Sequence, residues 1–430
     1  MIQLIRGFKD ILPGEVELWQ HIEDAARRLL GDFGYREIRV PLVEKAALFA
    51  RGIGEETDIV EKEMYTFADR QGDLITLRPE ATASVVRAYI QHKYYAADPV
   101  QKFFTIGPMF RRERPQKGRY RQFYQINVEA FGIAEPLIDV QLIHLLVTLL
   151  HRLEVADATP HINSLGCPQC RPAFREALLA HIQQRQDALC GDCRRRSQRN
   201  PMRVLDCKVP GCREAMTGAP AVTDGLCDDC RGHFGTVRDR LTALGIDYEV
   251  DKRLVRGLDY YTRTTFEIHT GALGAQSAVA GGGRYDGLVE MLGGPPTPGI
   301  GFAIGFDRLA EIVALRQRDF TRPPRLFIAA LGPAAQTAAF QWQTALGLAG
   351  ISVEMDYGGR SLKAQMRRAD RLAAAHVLIV GENEMTAGEA TLRHMASGDQ
   401  VPLGLAGIVE NLKRRLAPPP DDAGAVLERS

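Results

Sequence analysis

The chain has 430 residues, 45% of them hydrophobic and 25% charged, the mixture expected of a globular protein with two or three domains. A net charge of +1 excludes a polycation, so any contact with nucleic acid must come from local basic patches. No apolar run is long enough to span a bilayer, and the opening MIQLIRGFKDILPGE carries charge too early for a secretory signal; a cytoplasmic location is expected.

Apolar spacing predicts a helix over Val16 to Leu30, ending near Gly31 and Gly34. Tyr35 to Val40 reads as a strand stopped by Pro41, Leu74 to Leu77 as a short strand, and Ala81 to Ile90 as a helix. Gln101 to Pro108 and Gln122 to Phe131 read as two strands joined by a basic loop, a hairpin arrangement. Further strands fall at Thr264 to Ile268 and Ile300 to Ile304, followed by a helix over Asp307 to Leu315. Hairpin-paired strands with helices between them predict an α+β core, an antiparallel sheet with helices on one side. Beyond Pro323-Pro324 the pattern changes. Strands at Leu326 to Leu331, Ser352 to Met355 and Val377 to Val380 alternate with helices at Ala334 to Leu348 and Ser361 to Ala375. That alternation predicts a small α/β domain with a largely parallel sheet. The expected domains are a core over 1–322, interrupted by a Cys-rich insertion over 166–234, a second domain over 325–416, and a flexible tail over 417–430.

Four segments carry chemistry. The loop Arg111 to Arg121 holds six basic residues and one acid, and guanidinium forks fit phosphate oxygens. On the next strand Gln125, Asn127 and Glu129 alternate, so they share a face and can floor a polar pocket. Arg256-Gly-Leu-Asp-Tyr-Tyr-Thr-Arg263 sets two tyrosines beside Arg and Asp. Gly281-Gly-Gly-Arg-Tyr-Asp286 permits close backbone approach. Gly299-Ile-Gly-Phe-Ala-Ile-Gly-Phe-Asp-Arg-Leu309 is a glycine-bearing strand leading to Arg308 at a helix start; its glycines would leave room for that arginine to reach a phosphate.

In order, Tyr35 to Glu44, Phe103 to Gly132 and Gly299 to Leu309 resemble the three motifs of class II aminoacyl-tRNA synthetases. Gly107-Pro-Met-Phe-Arg-Arg-Glu-Arg-Pro-Gln116, Arg119 to Phe123, Arg256 to Tyr261 and Gly282 to Asp286 are similar to the histidyl-tRNA synthetase family, as are Arg6 to Pro13 and Leu77 to Thr82. The resemblance covers nearly the whole chain. It implies a homodimer that activates L-histidine with ATP and Mg²⁺, forms histidyl-adenylate, and passes the histidyl group to tRNA(His), releasing pyrophosphate and AMP. It implies Arg111 on the α-phosphate, Arg308 on the γ-phosphate, Arg119 also in the ATP site, and Arg256 near the reacting carboxylate, making Arg256 and Arg111 the catalytic pair. Histidine would be read by Glu80 and Thr82 at the amino group, and by Gln125, Glu129, Tyr261 and Tyr285 at the ring, with Arg256 and Tyr260 beside it. Arg114 and Gln116 would face the tRNA acceptor end. The last domain resembles the family's anticodon-binding domain, where Lys363, Arg367 and Arg371, spaced by four, form one basic stripe. The competing reading is a non-catalytic paralogue, either a histidine-sensing regulatory subunit or an RNA-binding protein.

The insertion departs from the commonest form of the family. All eight cysteines lie in it: Cys167 and Cys170, Cys190 and Cys193, Cys207 and Cys212, Cys227 and Cys230. Three are CxxC pairs, so the set suffices for two Cys₄ zinc sites; a single site with spare thiols and a metal-free remnant are the alternatives, and spacing does not fix the pairing. The adjacent run Arg194 to Arg199 suggests a tRNA-facing surface.

Overall fold

The structure is a computed structural model describing residues 2–55, 57–115, 118–271 and 278–416. It forms two compact units, residues 1–319 and 320–430. The expected tail at 417–430 and Gln116 of the basic loop lie outside the described residues.

The first helix, Val16–Asp32, buries Leu18, Trp19, Ile22, Ala25, Ala26, Leu29 and Leu30, a stripe at three- and four-residue intervals. It ends where Gly34 takes φ +80°, a backbone that glycine adopts without penalty. The strand expected next is only β1, Arg36–Glu37. Past Ile38 the chain leaves the sheet edge, and Val43–Lys45 (β2) joins Tyr65–Ala68 (β3) and Leu74–Leu77 (β4) in a separate three-stranded sheet.

The main sheet has eight strands. Gln101–Phe110 (β5) and Gln122–Phe131 (β6) form its central hairpin; Thr159–Ser164 (β7), Glu249–Val250 (β8), Thr262–His269 (β9), Ala278–Arg284 (β10) and Gly299–Gly305 (β11) complete it. The order is β1-β5-β6-β11-β10-β9-β7-β8. All inner pairs are antiparallel, and only the two edge pairs, β1 with β5 and β7 with β8, are parallel. Trp19 stacks on Phe306 at 4.4 Å and meets Tyr124 edge-on at 5.1 Å, which seats the first helix on this sheet. Between β7 and β9 the chain makes a helical excursion that includes Arg171–Gln183, Gly191–Arg199 and Asp228–Ala243.

In the second unit, Leu326–Ala330 (β12), Val353–Met355 (β13) and His376–Val380 (β14) are mutually parallel in the order β13-β12-β14. The middle strand is buried along its whole length, as a parallel strand covered on both faces must be. The sequence reading missed a hairpin: Glu389–His394 (β15) and Gln400–Gly404 (β16) extend the sheet antiparallel. The sheet is therefore mixed, not largely parallel; the polar and charged residues of β15, between β14 and the edge strand β16, hide its alternation. No helix among the described residues is long and apolar enough to cross a membrane.

Candidate functional site: a polar floor beside an arginine-lined cavity

The register of β6 against β11 sets Gln125, Asn127 and Glu129 opposite Gly305, Ala303 and Gly301. Glu129 is buried beneath this surface. Its Oε1 accepts from the Thr82 hydroxyl at 2.7 Å and its Oε2 from the Tyr285 hydroxyl. Burial pushes its pKa from 4.5 to about 8, against the lowering effect of those two hydroxyls. Gly301 makes this possible, since a Cβ there would overlap Glu129 Oε2 and lie 2.5 Å from the Val128 carbonyl oxygen. The room cleared by Gly301 is filled by Glu129, while Gly305 of the same strand faces Arg308, whose Cδ would lie 3.9 Å from a Cβ there. Tyr260 and Tyr261 are buried beside it, their rings 4.7 Å apart. Glu80 accepts the backbone N–H groups of Thr82 at 2.6 Å and Ala83 at 2.9 Å, tying down the start of the helix Thr82–Gln91; burial raises its pKa. Along the floor, Gln125 Oε1 and Asn127 Nδ2 are buried without a hydrogen-bond partner among the described residues. Such orphans are costly in a protein interior and point to a bound ligand.

Next to the floor lies a cavity of about 240 Å³ lined by Arg111, Arg119, Arg256, Arg308, Glu113 and Gln125, among others. Each arginine is held by a different element. Arg111 Nε donates to the Pro79 carbonyl at 2.9 Å, and its guanidinium lies 5.3 Å from the Phe123 ring centre. Arg119 pairs with Glu113 at 3.4 Å. Arg308 Nη1 donates to the Ala278 carbonyl at 2.8 Å; burial and the nearby Arg119 charge lower its pKa. Arg256 pairs with Glu267 and lies over Tyr261 at 5.4 Å. A Cβ on Gly281 would sit 2.5 Å from Arg256 Nη1, so the glycine run of β10 accommodates this side chain. Four cations converging on one partly enclosed space make an anion site of low effective dielectric.

Sequence reasoning missed Glu267, which lines the same cavity. Burial opposes its ionisation, yet His269 and Arg256 hold its pKa below the ordinary value. A lone acid in the strand Thr264 to Ile268 was its only signal. Arg284, within the expected ligand-approach run, is instead fully buried on Asp139 at 2.7 Å and on the carbonyls of Ile133 and Glu135. It ties β10 to the helix Leu137–Arg152. Arg114 is exposed on the basic loop. In the second unit Lys363, Arg367 and Arg371 are exposed on the helix Leu362–Arg371. Their neighbour Arg368 turns inward to the Met355 carbonyl at 2.8 Å and Glu354 at 3.0 Å. Arg194 is taken up by the carbonyls of Leu189 and Asp187, and Arg196 by Asp58 at 2.8 Å, so these two brace the insertion.

The histidyl-tRNA synthetase family model matches residues 7–309, and an anticodon binding domain model matches residues 325–415. The histidine--tRNA ligase of Desulfatibacillum aliphaticivorans is 61% identical over 412 residues, covering 96% of this chain and 98% of that protein. That of Desulforapulum autotrophicum is 63% identical over 406 residues, covering 94% and 96%. The crystal structure of apo S. aureus histidyl-tRNA synthetase superposes with a TM-score of 0.81 at 35% identity, covering 96% of this chain and 100% of that one.

Proposed function

The chain belongs to the histidyl-tRNA synthetase family, and from that premise we propose that it ligates L-histidine to tRNA(His) through histidyl-adenylate. A histidine carboxylate oxygen attacks the α-phosphorus of ATP, the bond to pyrophosphate breaks, and the tRNA terminal ribose then displaces AMP from the acyl carbon. One observation carries the residue-level reading: an unpartnered polar floor, Gln125 and Asn127 over Glu129, adjoins a cavity walled by four arginines.

In this reading the adenylate lies across the boundary of floor and cavity. Glu129 takes the ring N–H of histidine, and Tyr261 and Tyr285 orient the ring with Gln125 and Tyr260. Glu80, whose oxygens keep lone pairs beyond the two backbone donors, receives the α-ammonium with Thr82. Arg111 and Arg256 meet the charge growing on the α-phosphate, where fixed cations lower the barrier most, while Arg119 and Arg308 hold the outer phosphates. Mg²⁺ arriving with ATP supplies neutralisation of the departing pyrophosphate, and the cavity's carboxylates for it are Glu113, Glu267 and Asp307. Arg114 and Gln116 receive the acceptor end, and Lys363, Arg367 and Arg371 the anticodon arm. Exposed Val43 and Phe67, on one face of the three-stranded sheet, support a homodimer through that face. The eight unbridged thiols suit a cytoplasmic setting and are read as structural zinc ligands.

Histidine-dependent ATP–pyrophosphate exchange tests the assignment. A regulatory or RNA-binding paralogue would show none; the arginines gathered at one cavity favour turnover.

A further inference from the structure

Outside the pocket, the densest chemistry is in the helical excursion between β7 and β9. Its thiols form two quartets, Cys167, Cys170, Cys227 and Cys230, and Cys190, Cys193, Cys207 and Cys212. Within each, all sulfurs lie inside 4.8 Å of one another. Cys167 Sγ is 3.7 Å from Cys170 Sγ and 3.8 Å from Cys227 Sγ. Sulfurs around a tetrahedral zinc, each about 2.3 Å from the metal, are separated by about 3.8 Å, whereas a disulfide would need about 2 Å. Backbone N–H groups also donate to sulfur, Cys227 to Cys170 at 3.2 Å and Cys190 to Cys212 at 3.1 Å, the outer contacts that orient metal-bound thiolates. The pairing left open by spacing is therefore nested: the first quartet closes a loop that contains the whole second quartet.

Each quartet sits one short step from the segment Arg256–Tyr261. Cys170 immediately precedes the helix Arg171–Gln183, whose first residue, Arg171, donates to the Tyr261 carbonyl. The loop from Cys193 to Cys207 carries Asn200, which donates to Asp259 at 2.8 Å, and Arg203, which donates to the Arg256 carbonyl at 3.3 Å. From that loop Met202 and Leu205 pack against both the thiol cluster and the core containing Tyr260 and Tyr261. Arg256–Tyr261 belongs to neither a helix nor a strand over 256–261, so these contacts, together with the Asp259 N–H bond to the Ile53 carbonyl at 3.3 Å, hold its backbone from outside. We infer that the two quartets are separate zinc sites and that together they position Arg256 and Tyr261 for substrate from behind, through Arg171 and Arg203. The positioning role rests on reading the quartets as zinc sites, and zinc displaces the thiol protons as it binds.

Two measurements on the full-length protein separate the claims. Metal analysis of washed protein should give two zincs per chain, and Cys207→Ser should retain one. Fewer than two in the unaltered protein overturns the two-site reading. In zinc-replete protein, Arg203→Ala should lower kcat of pyrophosphate exchange about tenfold as Arg256 loses its support and raise the histidine KM as the adjoining Tyr261 shifts, with both zincs bound and Arg203→Lys restoring part of the loss. Asn200→Ala, a milder change at a half-exposed position, should shift the histidine KM in the same direction. Unchanged kcat and histidine KM in both alanine variants, with two zincs present, overturns the positioning role while leaving the metal sites standing.

Discussion

Glu129→Gln replaces one carboxylate oxygen by an amide where both oxygens are already occupied, by Thr82 at 2.7 Å and by Tyr285. Burial moves the pKa of this group from 4.5 to about 8, so without ligand it is neutral through most of the physiological range. The folded pKa lies above the unfolded one. Any stability it contributes is fully present below about pH 4.5 and is lost progressively up to about pH 8, because over that window the unfolded chain releases a proton the folded chain retains. Each unit of separation is worth about 1.4 kcal/mol, so the loss reaches several kcal/mol at the alkaline end. Glutamine does not titrate. The melting temperature of the variant minus that of the unaltered protein should therefore climb across that window and flatten above it. Function should move the other way. Bound histidine favours the ionised form, so the roughly 1.5–3 kcal/mol of a charged hydrogen bond is reduced by about 1 kcal/mol to ionise the carboxyl near neutral pH, and kcat/KM for histidine should fall roughly 2- to 30-fold with ATP binding little changed. A difference in melting temperature that stays level with pH would refute the buried, proton-holding carboxylate. Equal discrimination against a ring-N-methylated histidine by both proteins would refute the ring-reading role.

Arg256→Ala should lower the rate of adenylate formation by about two orders of magnitude, roughly 3 kcal/mol, with histidine binding largely kept; near-normal exchange would end its assignment to the reacting phosphate. Replacing Lys363, Arg367 and Arg371 together by Ala should make the log–log salt dependence of tRNA binding shallower by roughly two to three without touching adenylation, and an unchanged slope would return the stripe to a solvated face. Gly301→Ala should destabilise the fold by about 1–3 kcal/mol in urea unfolding, since its Cβ meets Glu129 and the Val128 carbonyl; a neutral result would mean that β6 and β11 can separate at this point.

The legible parts of the sequence were those governed by local period and by spacing. The alternation of Gln125, Asn127 and Glu129 placed them on one face, and the four-residue spacing of Lys363, Arg367 and Arg371 exposed all three while the adjacent Arg368 turned inward. What stayed hidden depends on contacts distant in sequence. Arg284 and Asp139 are 145 residues apart, and nothing local distinguishes an arginine that anchors a helix from one that binds phosphate. The same holds for Glu267, whose partner Arg256 comes from a segment outside the strand. Strand length at Tyr35 to Val40 was overread because apolar alternation continues after the sheet edge has ended. The cysteine pairing needed three dimensions outright, since a nested and a sequential arrangement leave the same spacings.

On the proposed reading of Glu129 and Gln125, specificity follows from how little the floor can relax. A buried carboxylate normally finds substitute partners when its ligand is wrong, by rotating or by admitting water. Here Gly301 brings the β11 backbone against Glu129, and Gly299 does the same for the Tyr285 ring. Two hydroxyls fix both carboxylate oxygens, while the orphaned Gln125 and Asn127 atoms stay out of solvent. An amino acid of similar size without a ring N–H would leave the orphaned floor atoms unpaired in a space that cannot close around them, and a site built to hydrogen-bond its substrate rejects such analogues by far more than shape alone allows. On that reading the glycines of β11 contribute to amino-acid choice by removing the freedom of the residues packed against them.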